Sequence, residues 1–219
     1  MIAAELIADI IPPLKTSDSV QKAFDRMNEF RVSHLPVVNG SEFVCLISED
    51  DMIEAVEYSI PVGELNLSLR HLFVFESQHV YDVIRLFYEQ KLSVVPVLDQ
   101  MKKYVGMISI NTMMEYMATL TSIKEPGGIV VLEISNKSNS LAHIAQIAES
   151  GNAQILSSYI QSFPDSTRLE VTLKLNRTDI SAIVASFSRY DYSVVATYND
   201  IKNDSTQDRY DQLMNYLDI

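Results

Sequence analysis

Apolar positions in the first half of the chain follow one pattern twice. Val20, Ala23, Phe24, Met27 and Phe30 recur with the 3.6-residue period of a helix face, and Val80, Val83, Ile84 and Phe87 do so again. Behind each stripe comes a short apolar run containing a proline. Arg31-Val-Ser-His-Leu-Pro-Val-Val38 returns as Lys91-Leu-Ser-Val-Val-Pro-Val-Leu98, a constant shift of 60 residues. A turn follows each run (Asn39-Gly40, Asp99-Gln100), and the match resumes at a shift of 61. Phe43-Val-Cys-Leu-Ile-Ser-Glu-Asp-Asp-Met-Ile-Glu54 aligns with Tyr104-Val-Gly-Met-Ile-Ser-Ile-Asn-Thr-Met-Met-Glu115. Each unit reads helix–strand–turn–strand–helix. A unit of about 60 residues has little core of its own, so the two are expected to pack face to face.

Pro126-Gly127-Gly128 breaks this pattern, and a different one follows. Ile129-Val-Val-Leu-Glu-Ile134 is strand-like; Leu141, Ile144, Ala145 and Ala148 form a helical stripe ending at Gly151. Ile155-Leu156 with Tyr159-Ile160 predicts a second strand, and Pro164-Asp165-Ser166 a turn. Leu169, Val171, Leu173 and Leu175 alternate strictly, as in a half-buried strand. Asp179 then opens a helix carrying Ile180, Ile183, Val184 and Phe187, before a last strand at Val194-Val195-Ala196. The order βαββαβ is the ferredoxin-like arrangement. In the tail, Tyr210, Leu213, Met214 and Leu217 share one face of an amphipathic helix over 204–219.

Composition narrows the function classes. Lys plus Arg total 17 against 29 Asp plus Glu, a net charge of −12 over 219 residues. Such acidity repels phosphate backbones and anionic headgroups, so neither nucleic acid nor a membrane surface is an expected partner. No apolar stretch reaches the roughly 18 residues of a membrane span. The first segment lacks basic residues ahead of its apolar part and carries Glu5 and Asp9, unlike a signal peptide. Cys45 stands alone, which excludes an internal disulfide framework. A cytoplasmic protein is expected. His34, His71, His79 and His143 are scattered, no glycine-rich phosphate loop is present, and no catalytic constellation emerges.

An apolar strand ending in Pro-Val-Val, a turn, then a Gly-x-Ile-Ser-x-x-Asp pattern opening a helix resembles the cystathionine β-synthase (CBS) domain. Two in tandem are similar to a Bateman module. The βαββαβ segment behind them resembles an ACT domain, and the CBS–CBS–ACT order is similar to that of acetoin-utilisation-type proteins. The implied fold is α+β: repeat one over 1–60, repeat two over 61–124, an ACT-like domain over 125–200, and a C-terminal helix over 201–219.

The residue chemistry at each strand-to-helix junction bears on the ligand. Helix-start amides and a hydroxyl suit phosphate or ribose oxygens, and a carboxylate accepts from both ribose hydroxyls. Repeat one supplies Ser48 and Asp51; the resemblance places the ribose-binding acid at Asp51 and a basic, phosphate-contacting side chain at His34. Ile10, Ile11, Val37 and Ile47 are the expected apolar walls for an adenine. Repeat two keeps Ser109 and Gly106 but has Thr112 at the acid position and Val94 opposite His34, so its half-site is expected to be weak or empty. Repeat one has Cys45 where Gly106 stands, and Glu49 and Asp50 oppose a triphosphate. Ser-x-x-Asp and Ser-x-x-Thr equally match helix capping, and that reading stays open. In the ACT-like half, Asn136 and Asn139 replace the acid and glycine of the family's amino-acid-binding loop.

The resemblance therefore implies a non-enzymatic regulatory protein without a catalytic cofactor. It would bind AMP, ADP, ATP or S-adenosylmethionine between the CBS repeats, form a homodimer, and signal to an unknown regulated protein. The alternative is a ligand-free oligomerisation or scaffold module whose nucleotide sites have decayed.

Overall fold

The computed structural model describes residues 1–8, 10–53, 57–65, 72–135, 140–164 and 166–199. The chain divides into two compact units, Met1–Tyr116 and Met117–Ile219. In the first unit, one copy of the repeat contributes β1 (Leu14–Lys15), α1 (Val20–Phe30), β2 (His34–Asn39), β3 (Glu42–Ser48) and α2 (Glu49–Ile53). The other contributes β4 (Val74–Phe75), α3 (Val80–Gln90), β5 (Val94–Leu98), β6 (Tyr104–Ser109) and α4 (Ile110–Leu120). Each copy builds a three-stranded sheet in which the short outer strand runs parallel to the middle one and the hairpin is antiparallel.

The registers repeat as closely as the sequence does. Leu14 faces Val37 as Val74 faces Val97, and Val37 faces Cys45 as Val97 faces Gly106. The residue that changes the shift from 60 to 61 lies in the second hairpin's turn, where Lys102 takes φ 62°; Gly40 takes the same φ in the first. β2 and β5 are buried almost throughout, which explains their continuous apolar runs. Among the described residues, Pro36 and Pro96 have a strand neighbour on one side only, because β1 and β4 pair from Val37 and Val97 onward. That is where a residue without an N–H is tolerated. Of the predicted helical stripes, Val20, Ala23 and Met27 on α1 and Val80, Val83 and Phe87 on α3 are buried.

The segments ahead of each copy cross over. The 3-10 turn Ala3–Leu6 docks on the second copy: Ala3 N and Ala4 N donate to the carbonyls of Gln78 and Glu76 at 2.8 and 3.0 Å, and Ala8 N to that of Met107 at 3.3 Å. The 3-10 turn Val62–Glu64 docks on the first: Val62 N and Gly63 N donate to the carbonyls of Asp18 and Thr16 at 2.8 and 3.0 Å. A Cβ on Gly63 would stand 2.9 Å from the Thr16 carbonyl oxygen, so the close approach requires glycine.

In the second unit, β7 (Ile129–Ser135), α5 (Leu141–Ser150), β8 (Ile155–Ser162), β9 (Arg168–Leu175), α6 (Ser181–Arg189) and β10 (Ser193–Tyr198) follow the predicted βαββαβ order. The sheet runs β10-β7-β9-β8, antiparallel throughout, which is the ferredoxin-like topology. Its core joins Val130, Leu132 and Ile134 to Val171, Leu173 and Leu175 and to Ile144, Ile183 and Phe187 from the helices. The alternation along β9 is thus the inner face of the sheet. His143 Nδ1 lies 2.9 Å from the Tyr192 hydroxyl, which joins α5 to the segment before β10. Asn136, Asn139 and the tail helix over 204–219 lie outside the described residues, as does His71. Among the described residues, no helix is long and apolar enough to cross a membrane.

Candidate functional site

Both helix starts singled out in the sequence close on themselves. Asp51 Oδ2 accepts from Ser48 N at 2.8 Å and from Ser48 Oγ at 2.6 Å, while Asp51 N donates to Ser48 Oγ at 3.2 Å. This is a reciprocal capping box that satisfies donors otherwise left over at the first turn of α2. In the second copy Thr112 N donates to Ser109 Oγ at 3.1 Å and the two hydroxyls meet at 3.0 Å. The geometry is the same, with a neutral hydroxyl in place of the carboxylate. The carbonyl before each β-run clasps the helix start: Glu49 N donates to Ser33 O at 2.9 Å, and Ile110 N to Ser93 O at 3.0 Å.

Ser33 and Ser93, equivalent positions 60 residues apart, meet where the copies join. Ser33 N donates to Ser93 Oγ at 3.0 Å, and Ser93 N donates to His34 Nδ1 at 3.3 Å. An Nδ1 that accepts from a backbone N–H carries no proton. Burial holds the imidazole below its ordinary range; the carboxylates of Asp51 and Asp50 push it upward and are outweighed. His34 is therefore neutral near pH 7 and ties the copies together. A neutral imidazole held this way offers a phosphate only its Nε2 N–H.

The apolar walls also fall differently from expectation. Val37 and Ile47 have no exposed surface and pack in the sheet core. Ile10 and Ile11 are brought to repeat two, not to Asp51. They line a cavity of about 300 Å³ together with Ala8, Phe30, Met107, Ser109, Asn111, Thr112 and Glu115. Ser48 and Asp51 do not line it. The cause is the crossed leader, which carries Ile10 and Ile11 along β6 to the start of α4. Gly106 makes this approach possible, since a Cβ there would stand 2.4 Å from Ile7 Cγ2. The half-site expected to be weak or empty thus lines a formed cavity among the described residues. The positions matching Ile10 and Ile11 in the second copy are 70–71, outside the described residues.

Sequence reasoning did not single out Phe30, Met107, Asn111 or Glu115 as site residues. A signal for the crossed leader was present: Ala3-Ala4-Glu5-Leu6 matches Val62-Gly63-Glu64-Leu65 at a shift of 59, so each copy begins with its own leader. Cys45 is fully buried on β3. Among the described residues, no group of three or more His, Cys, Asp or Glu is arranged to hold a metal ion.

Comparison with known proteins follows this geometry. A CBS domain pair/ACT domain protein from Thermotoga maritima is 20% identical with a TM-score of 0.49, the match covering 53% of this chain and 96% of that one. CBSX2 in complex with AMP is 23% identical with a TM-score of 0.48, covering 57% and 98%. The CBS domains of a transcriptional regulator from Streptococcus pneumoniae are 20% identical with a TM-score of 0.46, covering 52% and 98%. The family model of the CBS domain matches twice, at residues 3–58 and 62–119, each match beginning at a leader and together spanning just over half of the sequence. The chain belongs to the CBS-domain family, and carries two copies in tandem.

Proposed function

We propose that this protein is a cytoplasmic, non-enzymatic regulator that binds an adenosyl ligand in the cavity at the start of α4 and passes that state to a partner or to a second copy of the chain in a homodimer. The observation that carries the reading is the make-up of the cavity. Its walls are apolar (Ile10, Ile11, Phe30 and Met107), and its rim presents the hydroxyls of Ser109 and Thr112, the Asn111 amide and the Glu115 carboxylate. A purine ring needs flat apolar contact and a ribose needs acceptors and donors at one edge; both are present. At about 300 Å³ the space lies at the small end of ligand pockets, which suits one nucleoside. No described lining residue is basic, and Glu115 is acidic. Adenosine and S-adenosylmethionine therefore fit the charge of the site better than AMP, ADP or ATP.

A second reading, a ligand-free scaffold, draws support from the capping boxes: Ser48, Asp51, Ser109 and Thr112 all have a structural task without any ligand. Thermal-shift and calorimetric titrations of adenosine, S-adenosylmethionine, AMP, ADP and ATP, on wild type and Ile10→Asp, separate the two. Ile10 is 74% exposed, so the substitution alters the wall without opening the core. A ligand at 100 times its dissociation constant adds about 2.7 kcal/mol of stability. Stabilisation of the wild type by an adenosyl compound, lost in Ile10→Asp, supports the sensor; no stabilisation of either by any of the five supports the scaffold.

A further inference from the structure

We propose that the open face of the C-terminal sheet carries a second small-molecule site, for an amphiphilic monoanion: a small carboxylic acid with a branched aliphatic or aromatic body. This site is independent of the CBS cavity and lies wholly within the second unit.

Its floor is two neighbouring rungs of the sheet. Ile129 of β7, Lys174 of β9 and Ser157 of β8 lie side by side in register; Thr172 and Tyr159 form the next rung on the same face, two residues along. The helices α5 and α6 pack on the opposite face, where the core residues of β7 and β9 point. A wall is added by the turn after α4. Ser157 Oγ donates to the Thr121 carbonyl at 2.9 Å and Ser122 Oγ to the Leu156 carbonyl at 3.4 Å, with Ser122 itself in the left-handed conformation at φ 54°. These bonds pin Thr121 and Ile123 beside the floor and leave a cavity of about 360 Å³.

Chemistry then selects the occupant. Lys174 is the one basic residue among the described lining residues, and the Thr172 hydroxyl shares the cavity with it, while the hydroxyls of Thr121 and Ser157 already donate to the carbonyls of Met117 and Thr121. Its Nζ donates to the Gly127 carbonyl at 2.9 Å, which fixes the ammonium over the floor. A carboxylate placed there gains a charge-assisted bond from Lys174 and a hydroxyl donor from Thr172. Around this polar floor stand Ile129 and two strongly exposed apolar side chains, Ile123 at 69% and Tyr159 at 54%. An occupant with an apolar body removes their surface from water. One cation, in a chain of net charge −12, favours a single negative charge over several.

The test uses the full chain and two probes, 3-methylbutanoate and phenylacetate, with the uncharged 3-methylbutanamide and phenylacetamide as controls. Amide chemical shifts are followed by NMR in wild type, Lys174→Met and Thr172→Val. Lys174→Met keeps the aliphatic stem and removes the charge; Thr172→Val leaves the Gly127 contact intact and guards against a simple folding defect. The expected result is saturable shifts at residues 121–123, 157–159 and 172–174 with at least one acid. Binding should be at least tenfold weaker for its amide and for Lys174→Met, and several-fold weaker for Thr172→Val. The proposal is overturned if neither acid gives saturable shifts there, if the amides bind equally well, or if shifts at these residues depend on protein concentration alone, which would mean a second copy occupies the face.

Discussion

Asp51→Ala separates the two tasks that Ser48 and Asp51 can perform. In the folded protein the Asp51 carboxylate accepts two bonds from Ser48, at 2.8 and 2.6 Å, and the Asp51 amide donates back at 3.2 Å. Alanine keeps the last and abolishes the first two, leaving Ser48 N at the junction of β3 and α2 without that acceptor. Losing a cap of this kind costs about 0.5–2 kcal/mol, and a charged acceptor puts the expectation in the upper half of that range. For a chain of this size each kcal/mol lowers the melting temperature by about 2–4 °C, so Asp51→Ala should melt roughly 2–8 °C below wild type. Thr112→Ala is the internal control. It removes one neutral hydroxyl contact at 3.0 Å from the equivalent cap, and should cost about 0.5 kcal/mol. Differential scanning calorimetry on both variants, with and without S-adenosylmethionine, reads the outcome. Stabilisation by the ligand should persist in Asp51→Ala, since Asp51 does not line the cavity. An Asp51→Ala protein as stable as wild type, or no less stable than Thr112→Ala, refutes the capping argument. Loss of ligand stabilisation in Asp51→Ala moves the site to repeat one.

Gly106→Ala puts a methyl 2.4 Å from Ile7 Cγ2; overpacking of this kind costs about 1–3 kcal/mol, and a leader pushed off β6 should speed hydrogen exchange at the Ala8 amide and abolish adenosyl binding. Ser93→Ala deletes the acceptor of the Ser33 amide where the copies join, and should lower the urea midpoint by the equivalent of about 1–2 kcal/mol. Acid should loosen the same seam. The folded-state pKa of His34 lies below its unfolded value near 6.5, so the unfolded chain binds the proton first. Stability is full above about pH 6.5 and falls as the pH drops below it toward the lowered value. Urea titrations at pH 7.5 and 5.5 should show this loss in wild type and a smaller one in His34→Gln.

The repeat was legible because a duplicated apolar pattern repeats every structural requirement: the buried middle strand, the proline at its unpaired side, the capped helix behind it. The ferredoxin-like half was legible from periodicity, with Leu169 to Leu175 marking the strand that lines its core. The site was only half legible. Ser109 and Thr112 were identifiable from their helix start, but which apolar residues face them depends on the path of the leader, a contact between residues about 100 positions apart. Val37 and Ile47 looked like walls because they flank the junction in sequence, whereas their strand position turns them into the core. His34 was placed as a basic, phosphate-contacting side chain by the family resemblance, which carries no information on its burial or its Ser93 donor. Phe30 and Glu115 came into the site by helix geometry alone.

On the proposed function, the crossed leaders would give an adenosyl ligand its leverage. Ile10 and Ile11 belong to the first copy and Ser109 and Thr112 to the second, so a ligand touching all four binds only while Ala3–Leu6 remains docked on the second copy. Undocking removes two of the four apolar walls at once. A ligand would shift this equilibrium only by its difference in affinity for the two arrangements, and the undocked one would lack the Ile10 and Ile11 walls. Hydrogen exchange at Ala3 and Ala4, whose amides donate to Gln78 and Glu76, reads the docked population directly. Saturating adenosyl ligand should slow exchange at both by tenfold or more, and leave the Val62 and Gly63 amides of the other leader little changed. Equal protection of both leaders would mean that the ligand tightens the repeat pair as a whole. Protection of neither would sever the cavity from any conformational signal and leave the leader as a structural strap.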